Sequence, residues 1–227
     1  MKAATLAALR EARAAGRAVA LATWLDGRDQ RLFGAGADEP PVGLAAAVAT
    51  ALRTDQAAVV TVDDAEVLVE PHNPALRLVL VGAVHLAAPL AEMATIAGFA
   101  VTIVDPRRAF ATAERFPGRT LVVAWPDVAI TELAPDARTA VVTLTHDPKL
   151  DDPALIATLA TPAFYVGCLG SGKTHAARRE RLATGGVGAD ALARLRGPVG
   201  LRIGARSPAE IAVSILGEII ATLRGAA

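Results

Sequence analysis

Residues 76–87 read Leu-Arg-Leu-Val-Leu-Val-Gly-Ala-Val-His-Leu-Ala. Six residues, five of them aliphatic, run straight into a glycine, and a helix-forming stretch follows over 87–97. A strand buried on both faces reads as a continuous aliphatic run, because a parallel sheet is covered by helices on each side. The stretch therefore predicts the first strand and first turn of an α/β unit. The same alternation recurs downstream. Strands are expected at 76–81, 100–105, 120–124, 139–145 and 162–166, with helices over 87–97, 109–115, 152–160 and 174–184. A last helix over 208–223 begins at Ser207-Pro208, an N-cap followed by proline at the first helical position. Strands alternating with helices of about ten residues give βαβ units and a parallel sheet, with right-handed crossovers.

Upstream the pattern is different. A helix is expected from Thr5 to Ala15, ending at Gly16, then a strand from Ala18 to Leu25 that reaches the turn signal Asp26-Gly27. Arg28–Phe33 completes a hairpin, Gly34–Gly43 is a loop, and a helix covers Leu44–Leu52. Two more strands, Ala58–Val62 and Glu66–Val69, flank the turn residues Asp63 and Asp64. Pro71-His72-Asn73-Pro74 reads as a stiff linker. The expected fold class is α/β: a Rossmann-like parallel sheet domain, 75–227, preceded by a small α+β N-terminal domain, 1–74.

Composition agrees. Of 227 residues 53% are hydrophobic but only 4% aromatic, so the core must be built from Ala, Val, Leu and Ile. Formal net charge is zero, which argues against broad attraction to nucleic acid or an anionic membrane. No segment approaches the roughly 20 apolar residues of a membrane span. The N-terminal alanine-rich helix carries Lys2, Arg10, Glu11, Arg13 and Arg17 and lacks the apolar core of a signal peptide, so a cytoplasmic location is expected. The single cysteine, Cys168, excludes an intrachain disulfide and a Cys-rich zinc site. His72, His85, His146 and His175 show no metal-binding spacing.

The first turn tests the ligand. A dinucleotide fingerprint reads G-x-G-x-x-G/A; Gly82 and Ala87 fit it, but Val84 occupies the glycine position where backbone approaches a pyrophosphate. Asp105 closes the second strand, where a carboxylate normally takes the ribose hydroxyl. NAD(P) binding stays open as an alternative, as does the plainer reading in which Gly82 and Ala87 only permit close packing. Residues 167–174, Gly-Cys-Leu-Gly-Ser-Gly-Lys-Thr, match the P-loop pattern G-x-x-x-x-G-K-[ST]. The match falls at the fifth strand of the unit, and no strand ending in a magnesium-binding Asp follows. Anion binding by helix-start amides and Lys173 is the better expectation, with nucleotide hydrolysis a weaker one. Arg178 and Arg181 share a helix face and read equally as solvated surface or as ligand contacts. Thr145-His146-Asp147 ends the fourth strand, at the edge where open α/β sheets bind ligands; a turn initiated by Asp147-Pro148 is the plainer reading. No nucleophile elbow or Ser-His-Asp order is legible. Cys168 reads as a small apolar filler, or as a thiol activated at a helix N-terminus.

Taken as an ordered set, these pieces resemble the XdhC/CoxI family, accessory factors of xanthine dehydrogenase and carbon monoxide dehydrogenase. The resemblance covers about residues 66–224. It rests on Glu70-Pro71, Val81-Gly82-Ala83-Val84-His85 with Ala87, Val104-Asp105-Pro106-Arg107, Phe110-Ala111 and Arg115-Phe116-Pro117. It continues through Thr145-His146-Asp147, Tyr165-Val166-Gly167, Leu169-Gly170-Ser171, Arg178 and Arg181-Leu182. It ends with Gly200-Leu201, Ile203-Gly204-Ala205, Ser207-Pro208-Ala209-Glu210-Ile211-Ala212, Ser214-Ile215 and Glu218-Ile219. The resemblance implies a non-catalytic chaperone that binds molybdenum cofactor, as molybdopterin or its dinucleotide form, protects it during sulfuration and delivers it to an apo-enzyme. The implied partners are a molybdenum hydroxylase apo-enzyme and a cysteine desulfurase, with self-association into a homo-oligomer. The implied binding residues are Gly82, His85, Asp105, Arg107, His146, Asp147, Gly167, Gly170, Ser171, Lys173 and Arg178. Two departures stand out. Val84 replaces the family's Gly in Gly-Ala-Gly-His, and the N-terminal Gly-Ser…Pro-Arg and Gly-Gly-Cys-Val-Glu segments are not visible, which suggests an abbreviated N-terminal unit.

Overall fold

A computed structural model describes residues 2–226. The chain divides into two compact units between Pro74 and Ala75. In the first, α1 (Ala3–Ala14) precedes β1 (Val19–Trp24) and β2 (Gln30–Gly34), and α2 (Val42–Thr54) precedes β3 (Ala58–Val62) and β4 (Ala65–His72). The strands form an antiparallel sheet in the order β2-β1-β4-β3. Successive side chains of a strand point to opposite faces. Ala20 and Ala22 accordingly join Phe33, Leu44, Val48 and Ala51 on the α2 side, while Val19 and Leu21 pack with Leu9 and Ala12 of α1. Pro71 and His72, expected in a linker, belong instead to β4. Pairing with β3 stops at Val69, so β4 is flanked only by β1 at Pro71 and the missing N–H costs no ladder bond on the open side.

The second unit contains β5 (Leu76–Val81), α3 (Ala87–Ile96), β6 (Phe99–Val104), β7 (Thr120–Val122), α4 (Pro126–Leu133) and β8 (Thr139–Thr143). It continues with α5 (Pro148–Leu159), β9 (Tyr165–Cys168), α6 (Gly172–Thr184), α7 (Ala189–Ala193), β10 (Leu195–Arg196) and α8 (Pro208–Arg224). All six strands are parallel and lie in the order β10-β9-β8-β5-β6-β7. This is the doubly wound Rossmann arrangement, and the expected fold class holds. Leu78, Leu80, Ile103 and Val142 face α3 and α8 on one side. Val79, Val81, Val104 and Val141 face α4 and α5 on the other, which explains the unbroken aliphatic run of β5. The chain leaves β5 toward β6 and β7, then returns to place β8 on the opposite flank of β5. The strand ends beside β5 and β8 are therefore the switch point, where this architecture opens a crevice.

Several expected elements differ. The helix expected over 109–115 is a series of turns. Arg107 stacks 4.4 Å from the centre of the Phe110 ring, and Arg115 donates to the Phe110 carbonyl at 2.7 Å, so side chains hold this segment in place of a helical ladder. Helix α4, unassigned from sequence, starts with Pro126 in its first turn and Asp127 behind it. Helix α5 begins at Pro148, four residues before the expected start, because Asp147 caps it by accepting from the Lys149 amide at 2.9 Å. Strand β9 starts three residues and ends two residues later than expected, and the short α7 and β10 had no legible signal.

Candidate functional site

The carboxyl ends of β6, β5, β8 and β9 carry nearly every residue singled out from sequence. Gly82 and His85 follow β5, Asp105 and Arg107 follow β6, His146 and Asp147 follow β8, and Gly170, Ser171 and Lys173 follow β9. Arg178 stands within α6, and Gly167 is the other exception. It lies inside β9, buried, and a Cβ there would come within 2.8 Å of both the Tyr165 ring and Val199, so packing accounts for its missing side chain.

The first turn is shaped by the protein itself. Gly82 has φ +112°, and a Cβ on it would lie 2.5 Å from Cγ2 of Thr145. The turn after β5 is thus pressed against the turn after β8, which requires glycine whatever the ligand. Val84 leans against the core beside α3, and His85 is exposed.

Asp105, expected at the ribose-binding position, spends its carboxylate on bonds within the protein. Its side chain is fully buried while that of Arg107 is 40% exposed. One carboxylate oxygen accepts from the Ala83 amide at 2.8 Å and Nη2 of Arg107 at 2.7 Å. The other accepts from the amide and Nε of Arg107 at 2.9 and 2.8 Å. Four donors saturate a carboxylate. Burial pushes the Asp105 pKa up, but these bonds outweigh it and hold the group below the usual carboxylate range. What the edge presents instead is Arg107, braced by Asp105 and the Phe110 ring.

The turn after β8 is pinned from beneath. His146 adopts φ +61°, and its amide donates to Oδ2 of Asp151 at 3.1 Å. The Thr145 hydroxyl donates to Oδ1 of Asp151 at 2.6 Å and accepts from the Asp147 amide at 3.1 Å. His146 is thereby exposed at the edge, while Asp147 is spent as the cap of α5. Asp151, which sequence reading missed, is wholly buried. Burial raises its pKa, against the opposing pull of the Thr145 hydroxyl and Arg178.

The loop after β9 is short. Gly167 and Cys168 are still in the strand and α6 starts at Gly172, so only Leu169, Gly170 and Ser171 connect them. A P-loop wraps phosphate within the stretch that here is strand, and three residues cannot enclose one in that way. Ser171 caps α6, accepting from the Thr174 amide at 3.2 Å. The amides of Gly172 and Lys173 open the helix and have no preceding turn to bond, and Lys173 is exposed beside them. Arg178 is not on a solvated face. It is 1% exposed, and its Nη2 donates to Oδ2 of Asp151 at 3.3 Å and to the Leu169 carbonyl at 3.2 Å. Its Nε and Nη1 have no oxygen or nitrogen partner, and Nη1 lies 3.6 Å from where a Gly170 Cβ would sit. Arg181, by contrast, is exposed and pairs with Asp152 at 2.6 Å.

Cys168 is buried among Leu155, Val166 and Leu182. Its thiol lies 3.5 Å from Nδ1 of His175, and burial pushes its pKa up to about 11 despite Arg178 nearby. Cys168 ends β9, four residues before α6 starts, so the thiol is not at the helix N-terminus and its burial fits the apolar-filler reading. A cavity of about 330 Å³ in the N-terminal unit is lined by Glu11, Arg17, Arg31 and Asp38, among others. Arg17 is paired with Glu11 and Arg31 with Asp29, so the strand-end edge is the stronger candidate. Among the described residues no cluster of metal-ligating side chains occurs, and no helix is long and apolar enough to cross a membrane.

The XdhC Rossmann domain family matches residues 78–219, which hold this entire edge. The chain belongs to the XdhC Rossmann-domain family. A Bacillus subtilis (strain 168) relative, described as a probable xanthine dehydrogenase subunit, is 36% identical over 151 residues, 66% of this chain and 44% of the relative. The Escherichia coli (strain K12) protein YqeB is 32% identical over 154 residues, 68% of this chain and 28% of that protein. A third relative, the molybdenum cofactor insertion chaperone PaoD of Escherichia coli (strain K12), is 37% identical over 84 residues, 37% of this chain and 26% of PaoD. The chain thus spans less than half the length of these curated relatives. A crystal structure described as a xanthine dehydrogenase from Bacillus halodurans superposes with a TM-score of 0.71 at 24% identity, over 97% of this chain and 64% of that one; it supports the fold alone.

Proposed function

We propose that this XdhC-type chain is an accessory factor that binds molybdenum cofactor at the strand-end edge of its Rossmann unit, protects it during sulfuration, and passes it to a xanthine or carbon monoxide dehydrogenase-type enzyme. The observation that carries the reading is the inversion at β6: Asp105 is consumed by Arg107, so the edge offers a guanidinium where a dinucleotide fold offers a carboxylate. Together with Lys173, His146 and the first amides of α6, it suits an anionic pterin phosphate better than a ribose diol. The groups present fit such a ligand, since the buried Arg178 has nitrogens with no oxygen or nitrogen partner, and its Nη1 lies 3.6 Å from where a Gly170 Cβ would sit. The similarity to a molybdenum cofactor insertion chaperone supports the same reading. The implied partners are the client apo-enzyme and a cysteine desulfurase, the protein acting in the cytoplasm as a homo-oligomer. The cofactor would be held by Arg107, His146, Gly170, Ser171, Lys173 and the unpartnered side of Arg178, with Gly82, His85, Asp105, Asp147 and Gly167 shaping the edge.

The decisive experiment is anaerobic equilibrium binding of molybdenum cofactor with NAD and ATP–magnesium as competitors. Saturable binding that neither competitor displaces is the expected result. Binding of NAD or ATP in place of the cofactor would overturn the reading.

A further inference from the structure

Three turns at the binding edge converge on one carboxylate that no sequence motif marks. Asp151 lies in the first turn of α5, on the side of the sheet opposite α3 and α8, and is wholly buried. Its two oxygens take the Thr145 hydroxyl at 2.6 Å, the Thr145 amide at 3.4 Å, the His146 amide at 3.1 Å and Nη2 of Arg178 at 3.3 Å. Thr145 in turn fills the space left by Gly82, and Arg178 reaches on to the Leu169 carbonyl at 3.2 Å. The turn after β8 is thus fastened to Asp151 directly and the turn after β9 through Arg178, while the turn after β5 packs against Thr145. A second observation points the same way. Arg178, itself 1% exposed, is engaged only through Nη2, and its Nε and Nη1 have no oxygen or nitrogen partner. Thr143 Oγ1, at the end of β8, is also buried without one. Orphaned donors of a buried cation are costly and call for a reason. If stability alone were served, an apolar pair of similar volume would do as well.

We propose that Asp151 is the positioning residue of the binding edge: it fixes the Thr145-His146-Asp147 turn and turns the unpartnered side of Arg178 toward the glycine loop, where an anionic group of the ligand is received. The proposal rests on the reading of the edge as an anion-binding site. Asp151 does not touch the ligand; it holds the His146 amide in its left-handed turn and keeps the Arg178 guanidinium aimed.

The test compares wild type with Asp151→Asn, Asp151→Asn/Arg178→Met and Thr145→Val, measuring both thermal midpoint and anaerobic Kd for molybdenum cofactor. Asp151→Asn leaves a buried cation uncompensated and is expected to lower the midpoint and weaken binding by about tenfold or more. The double variant removes both buried charges while the asparagine at position 151 keeps an acceptor oxygen for the turn after β8, and is expected to recover most of the midpoint while binding stays at least about tenfold weak. Recovery of both midpoint and affinity would make the pair structural only and overturn the proposal. Thr145→Val keeps the shape that meets Gly82 but loses the hydroxyl bond to Asp151, so it tests the same link even if the other variants do not fold. Weakened binding is expected, and unchanged Kd would overturn the proposal. Wild-type protein that binds no cofactor would instead sink the anion-site reading itself, and the positioning role with it.

Discussion

Replacing Gly82 by alanine probes how the switch point is closed, and its cost can be worked from two separate features. At φ +112° the backbone is in a region that residues with a Cβ rarely adopt, a strain of about 1–3 kcal/mol. The new Cβ would also stand 2.5 Å from Cγ2 of Thr145, and relieving that overlap adds about 1–3 kcal/mol. Thr145 cannot rotate away freely, because its hydroxyl is held at 2.6 Å by Asp151. The expected total is about 4 kcal/mol of lost stability. Serine at position 145 keeps the hydroxyl and removes Cγ2, so Gly82→Ala in the Thr145→Ser background should cost only the backbone share. A double-mutant cycle should therefore show a favourable coupling of about 1–3 kcal/mol. Urea unfolding followed by Trp125 fluorescence, in a Trp24→Phe background so that the Rossmann unit alone reports, measures each corner. Equal costs of Gly82→Ala with Thr and with Ser at 145 would refute the packing argument. A cost below about 1 kcal/mol would refute the backbone argument as well.

Other consequences are open to measurement. Asp105→Ala strands the buried Ala83 amide and unbraces Arg107; a loss of about 3 kcal/mol in urea unfolding is expected, and a loss within about 0.5 kcal/mol would show that Arg107 needs no brace. Lys173→Ala, on an exposed side chain, should change stability by less than about 0.5 kcal/mol yet weaken cofactor binding and flatten its salt dependence; an unchanged affinity would remove Lys173 from the site. Cys168 has a folded pKa of about 11 against an ordinary 9.0. Between those values the unfolded chain loses the thiol proton and the folded chain keeps it, so stability falls as pH rises through that window. Cys168→Ala should remove part of this alkaline slope, and native protein at neutral pH should resist thiol reagents that label it once unfolded; rapid native labelling would contradict the burial. Ser207→Ala breaks the capping box of α8 and should lower stability by about 1 kcal/mol, and no loss by urea unfolding would mean α8 is held by its packed face alone.

The amino-acid pattern by itself determined the parallel sheet and its edge. Aliphatic runs such as 76–81 and 139–143 have one stable use, burial between two helical layers, and turn residues at their carboxyl ends mark where ligands are received. The family signal travels with the same residues, because an ordered set of short motifs is local information. What the sequence did not determine is the direction in which each polar side chain spends itself. Asp105 looked like a ribose acceptor and is an internal brace, since the donors that claim it come from Ala83, 22 positions earlier, and from Arg107 folding back. Arg178 shared a helix face with Arg181 on paper, yet one is buried and the other exposed, a difference that only the placement of α6 over Asp151 creates. Asp151 carried no signal at all, because its partners lie on other segments and a buried carboxylate is recognised only once they are brought together. Periodicity reports which face a residue is on; tertiary packing alone decides which groups meet there, and so which charges remain for a ligand.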